Sequence, residues 1–198
     1  MPAAERRITA ADIQPLDAFA AERKARRAAL LPVKRLRRVA LGPWCTVYFE
    51  SFETMLFQVQ EMLLIEKGGE AQLADELAAY NPMIPQGAEL TATVMFEIDD
   101  PNTRARVLGE LGGVDDRFFV EVDGARAGAV QEGDIERTRD DGKTSSVHFI
   151  RFPLSPEQIA AFRDPSVQLM VACGDPRYAH LAVLGPDVRA ELAKDLAD

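Results

Sequence analysis

Between Phe52 and Glu66, apolar residues recur at spacings of three and four. Phe52, Met55, Leu56, Val59, Met62 and Leu63 make one face of a helix, and Ser51 stands where a cap belongs. Phe57, Leu64 and Ile65 fall outside that stripe, so the helix is apolar nearly all round and is expected to be enclosed by other elements. Within it, Thr54, Gln58 and Glu61 stack on one narrow line. Burying such groups unpaired costs about 1–3 kcal/mol each. They are therefore either pinned in a structural hydrogen-bond network or turned toward a pocket.

Elsewhere the period is two. Arg37–Leu41 and Trp44–Glu50 predict strands joined by a Gly42-Pro43 turn. In the second, Cys45, Val47 and Phe49 share one face, while Trp44, Thr46, Tyr48 and Glu50 share the other. Glu89–Ile98 sorts likewise, with Ala92, Val94, Phe96 and Ile98 opposed to Thr91, Thr93, Met95 and Glu97. Phe118–Val122 and Ala125–Val130 flank Asp123-Gly124, a strong hairpin signal, and Ser145–Phe152 and Gln168–Cys173 are further strands. Helices are expected over Leu16–Leu31 (ending at Pro32), Glu70–Ala79, Thr103–Leu111, the stretch opened by Ser155-Pro156-Glu157, and Asp187–Leu196. Glu132–Gly142 reads as an acidic loop. Strands arrive as hairpins rather than alternating with helices. The fold class is therefore α+β: a mainly antiparallel sheet of about six to seven strands packed with four to six helices, in a single domain. Residues 1–36 form a basic N-terminal helical arm packed on a body spanning 37–198.

Composition changes this picture little, since 198 residues suit one domain with a sizeable core. No apolar run approaches the ~20 residues of a membrane span, and no signal peptide is visible, so cytoplasm is expected. Charge adds more. The net charge is −9, yet residues 1–38 hold ten Lys/Arg against four Asp/Glu, a local +6 that leaves −15 to the rest. The basic clusters around Arg23–Arg27 and Lys34–Arg38 lack the interleaved aromatics of single-strand binders, and the acidic body repels phosphates. Nucleic acid is thus disfavoured, and a solvated helix face is expected. Cys45 and Cys173 fit no zinc or redox spacing and read as buried free thiols.

Most catalytic signatures are missing: there is no nucleophile elbow, phosphate loop or dinucleotide glycine fingerprint. With only His148 and His180, a three-histidine zinc site is excluded by count. His148 shares a strand face with Ser146 and Ile150, where imidazole can act as a general base or a metal ligand, although a hydrogen-bonded, half-buried sheet residue is the more ordinary role. Lys143-Thr-Ser-Ser before it is a donor-rich turn able to grasp an anion. Glu50, Glu61, Glu66 and Glu97 are the candidate carboxylates; Glu61 with His148 and one further carboxylate would suit a divalent metal ion.

The segments Arg38-Val-Ala-Leu-Gly42, Phe49-Glu50, Gln58-Val-Gln-Glu61-Met62, Tyr80-Asn-Pro-x-Ile-Pro85, Leu90-Thr-Ala-Thr93 and Lys143-Thr-Ser-Ser-Val-His148-Phe carry a resemblance. Together they resemble an uncharacterised bacterial family, catalogued as the domain of unknown function 3501. The family's genes often lie beside rubrerythrin-like and iron–sulfur oxidoreductase genes. The resemblance therefore implies a role in redox or oxidative-stress metabolism and a redox or iron–sulfur protein partner. It also points to Gln58, Glu61, Asn81, Lys143 and His148 as a shared site or polar core. The first expectation is an accessory protein that binds a small ligand or metal ion between the Phe52 helix and the sheet. Glu61 and His148 would be its ionisable contacts. The alternatives are a non-catalytic protein–protein interaction module and an enzyme using Glu61 or His148 as general base.

Overall fold

Alternation along each strand sorts side chains into an apolar and a mixed face, and the chain closes two sheets on the apolar ones. The computed structural model describes residues 6–132 and 143–197; most of the expected acidic loop, at 133–142, lies outside the described residues. In chain order the elements are α1 (Leu16–Leu36), β1 (Arg38–Leu41), β2 (Cys45–Phe49), α2 (Phe52–Glu66), α3 (Gly69–Tyr80), β3 (Glu89–Phe96) and α4 (Pro101–Glu110). There follow β4 (Phe118–Val122), β5 (Ala125–Gly128), β6 (Val130–Gln131), β7 (Val147–Pro153), α5 (Pro156–Arg163), β8 (Leu169–Cys173), β9 (His180–Val183) and α6 (Pro186–Leu192).

One antiparallel sheet has the order β1-β2-β3-β7-β6 and the other β5-β4-β8-β9. The fold is α+β, as the hairpin pattern predicts, with nine strands in two sheets among the described residues rather than six to seven in one. The expected strand over Ala125–Val130 splits at Ala129. β5 pairs with β4 in one sheet, and β6 pairs with β7 in the other, so the chain crosses the core between them. The strand β9 was not expected; four residues beside β8 are too few to show a period.

The main core lies between the sheets. Val47, Phe49, Val94, Phe96, Ile150 and Phe152 of the first face Phe118, Val120, Leu169 and Val171 of the second, with Leu108, Phe162 and Leu192 closing the ends. A second cluster sits on the opposite face of the five-stranded sheet. There Met55, Val59 and Leu63 of α2 pack with Ile8, Met83 and Ile84 and against Phe149. α2 is buried along this stripe but, contrary to what its composition suggests, is not enclosed all round, since Ile65 is exposed and Phe57 and Leu64 are only partly buried. Ser51 caps it by accepting from the Thr54 N–H. The Asp123-Gly124 turn is as expected, both residues having positive φ.

α1 departs from expectation at its end, because it runs through Pro32 to Leu36. Proline forfeits one hydrogen bond, but the last turn is fixed from beyond it. Arg37, 3% exposed, donates to Glu191 (3.0 Å) and to both oxygens of Asp195 (2.7 and 2.9 Å). The same guanidinium reaches the Glu50 carbonyl at 2.9 Å. A single buried cation ties the start of β1 to the C-terminal segment.

Candidate functional site

The mixed face of the five-stranded sheet is only partly covered. α2 lies over Phe149 and the end of β2, α1 passes beside β1, and a cleft of about 710 Å³ remains between the two helices and the sheet. Its floor is built by register. Arg38 stands opposite Tyr48, Tyr48 opposite Thr93 and Thr93 opposite Phe149, with Met95 and Val147 in the adjoining row. Thr54, Met55 and Gln58 of α2 form one wall, and Leu31, Lys34 and Arg35 of α1 the other.

The cleft's two polar ends differ in electrostatics. Glu50 ends β2 where α2 begins and is buried. Its Oε2 accepts from Thr54 Oγ1 and its Oε1 from Thr93 Oγ1, each at 2.7 Å. Burial pushes its carboxyl above the ordinary range; the two hydroxyls and the nearby Lys34 and Arg37 only partly oppose this. At the other end Glu97 is exposed. The Thr46 hydroxyl (2.6 Å) above all, then Tyr48 (2.8 Å) and Arg38 (3.2 Å), hold it below the usual carboxylate range. The cleft thus joins an apolar floor to one carboxyl biased toward neutrality and one held ionised, an arrangement typical of binding sites.

Of the residues singled out from sequence, Gln58 lines this cleft. Glu61 does not: Arg23 of α1 grips it through two hydrogen bonds, at 2.7 and 2.6 Å, which lower its pKa. Asn81 pins the N-terminal segment, accepting from the Ile8 N–H at 2.7 Å and donating to its carbonyl at 3.0 Å. Lys143 is half-buried just before Thr144, whose N–H bonds the Leu108 carbonyl. His148 is fully buried on the inner face of the sheet, the one opposite α2. Its Nε2 lies 2.9 Å from the Ser145 carbonyl and 3.3 Å from Thr144 Oγ1, and its Nδ1 lies 3.8 Å from Asp115. The sheet therefore separates Glu61 from His148. A shared metal or general-base site, as expected from sequence, is not what their geometry forms, because period-two alternation turns His148 inward while α2 lies outside. Among the described residues no group of three His, Cys, Asp or Glu side chains is placed to hold a metal ion. Cys45 and Cys173 are free and buried, and burial raises both thiols, Cys173 to about 11.

Sequence reasoning singled out Glu50 and Glu97 as carboxylates but missed Tyr48, Thr93 and the wall cations. The available signal was the mixed face shared by two strands, Thr46-Tyr48-Glu50 and Thr93-Met95-Glu97, which a solvated sheet rarely loads with Met and Tyr.

A family profile described as "Protein of unknown function (DUF3501)" matches residues 7–196. A crystal structure of a novel protein of unknown function from Burkholderia pseudomallei K96243 superposes with a TM-score of 0.89 at 36% identity, covering 96% of this chain and 99% of that one. Curated protein sequences give no match.

Proposed function

We propose, for a chain that belongs to the DUF3501 family, a role as a binding protein for a small organic ligand held in the cleft between α1, α2 and the five-stranded sheet. One observation carries the reading: a drug-sized concavity floored by Met95, Val147 and Phe149 has buried Glu50, with its two threonine donors, at one end. A cleft kept only for packing would be filled by side chains, since interiors close to crystal-like density. The hydroxyls of Thr54, Thr93 and Tyr48 in the cleft are held by the carboxylates at its ends, and no histidine, cysteine or serine lines it among the described residues, which supports binding over covalent catalysis.

Titration with Nile red, a neutral apolar fluorophore, tests it. The parent chain binds one equivalent saturably, and Met95→Trp or Val147→Trp, each of which fills the floor, abolishes the signal without lowering the melting temperature. Equal fluorescence from parent and filled variants overturns the reading.

A further inference from the structure

We infer that the cleft takes an unbranched organic anion, a carboxylate on a hydrocarbon chain of medium length, with its head beside Lys34 and Arg35 and its tail across Met95, Val147 and Phe149. This rests on the ligand-binding reading above and is carried by charge and by shape.

The charge is local and runs against the whole molecule. The chain carries −9, yet the α1–β1 side of the cleft presents Lys34, Arg35 and Arg38. Arg38 is matched by Glu97 at 3.2 Å and lies over the Tyr48 ring. Lys34 lies over the face of Phe57, 5.8 Å away, and feels Glu50 and Glu61 only beyond ion-pair distance, and neither it nor Arg35 forms an ion pair among the described residues. Two cations that make no direct ion pair among the described residues, at the mouth of an apolar cleft in an acidic protein, contribute a local positive potential that favours anions. The nearest buried carboxyl, Glu50, is biased toward its neutral form and so opposes an incoming anion weakly.

The shape follows from strand register. From Arg38 on β1, the floor passes Tyr48 on β2 and Thr93 on β3 to Phe149 on β7, cationic at one end and apolar at the other. Three interstrand steps span roughly 14 Å, which accommodates an extended chain of about ten carbons. Exposed Leu31 of α1 borders the same groove and adds apolar surface to its helix wall.

Competition against Nile red separates this inference from the one beneath it. Decanoate, kept below its micellar concentration, displaces the dye about tenfold more tightly than decanol at low salt, as a charge-assisted contact implies, and the advantage shrinks at high salt. In the Lys34→Gln, Arg35→Gln double variant the two alkyl ligands compete within about twofold of each other, a ratio read within one variant and so independent of its dye affinity. Equal competition by decanol and decanoate in the parent overturns the anionic class but leaves the cleft as a ligand site. So does failure of both to displace a bound dye. Co-sedimentation with phosphatidylglycerol vesicles without displacement by decanoate overturns it in favour of a membrane surface. Absence of Nile red binding removes both readings together.

Discussion

Glu50 and Glu61 both sit near α2, and the structure gives them opposite environments. Burial raises Glu50, so between its unfolded value, about 4.3, and its higher folded value the native state holds the extra proton. Its contribution to stability is therefore fully present below the unfolded pKa and fades as pH rises through the folded one. Melting curves should show Glu50→Gln matching or exceeding the parent at pH 8, with the parent regaining ground as pH falls toward 4.5. A difference that does not change with pH would contradict this sign. Glu50→Ala, which takes the acceptor from half-buried Thr93 and leaves buried Thr54 with its Ser51 bonds alone, should cost about 1–3 kcal/mol. For Glu61 the sign reverses: Arg23 lowers its pKa, so the pair stabilises above the unfolded value and is lost as pH falls through the folded one. Arg23 is well exposed, so solvent screens the pair, and Glu61→Gln should barely move the melting temperature at pH 7.

At the scale of elements, α1 is held lightly for its length. Phe19 is its one buried side chain among the described residues, set edge-on to Phe57 of α2 at 5.8 Å between centroids. Phe19→Ala should free the helix while both sheets keep their protection. Hydrogen exchange would then rise across 16–36 alone, and Nile red binding would weaken because one wall of the cleft is gone. The penalty is bounded by local release and should fall short of the full 3–5 kcal/mol of a core Phe→Ala change. If exchange rises equally in the sheets, α1 is part of the cooperative core instead. Local periodicity carried α2, β2, β3 and the β4–β5 hairpin from sequence to structure, because each repeats a period several times or ends in a turn of fixed geometry. It could not carry α1 past Pro32, where Arg37, anchored by distant acids just beyond the helix, closes the last turn through its N–H to the Val33 carbonyl, nor β6 and β9, which exist only because a neighbour pairs with them. The cleft was half legible. The polar line on α2 pointed to its location and Gln58 lines it, but its cations lie on α1 and β1 and its floor on four strands, and no spacing in one segment encodes that meeting.

For the whole molecule, Arg37 is the tie that closes the chain. Removing it strands Asp195 and Glu191 with no counter-charge of equal quality, so Arg37→Met should cost about 3–5 kcal/mol, or roughly 6–20 °C in melting temperature. Adding Asp195→Asn should return much of that loss, since the stranded charge is then removed with its partner. No recovery in the double variant would mean that Arg37 acts through the Glu50 carbonyl instead. The tie also has a history in time. Arg37 and Asp195 are separated by 158 positions, so a ribosome adding roughly 5–20 residues each second delivers the acid some 8–30 s after the base. Throughout that interval the base of the cleft is laid down with a cation awaiting its anions. Closure of this tie therefore waits for Glu191 and Asp195, and a nascent chain arrested before Glu191 should stay protease-sensitive however long it waits.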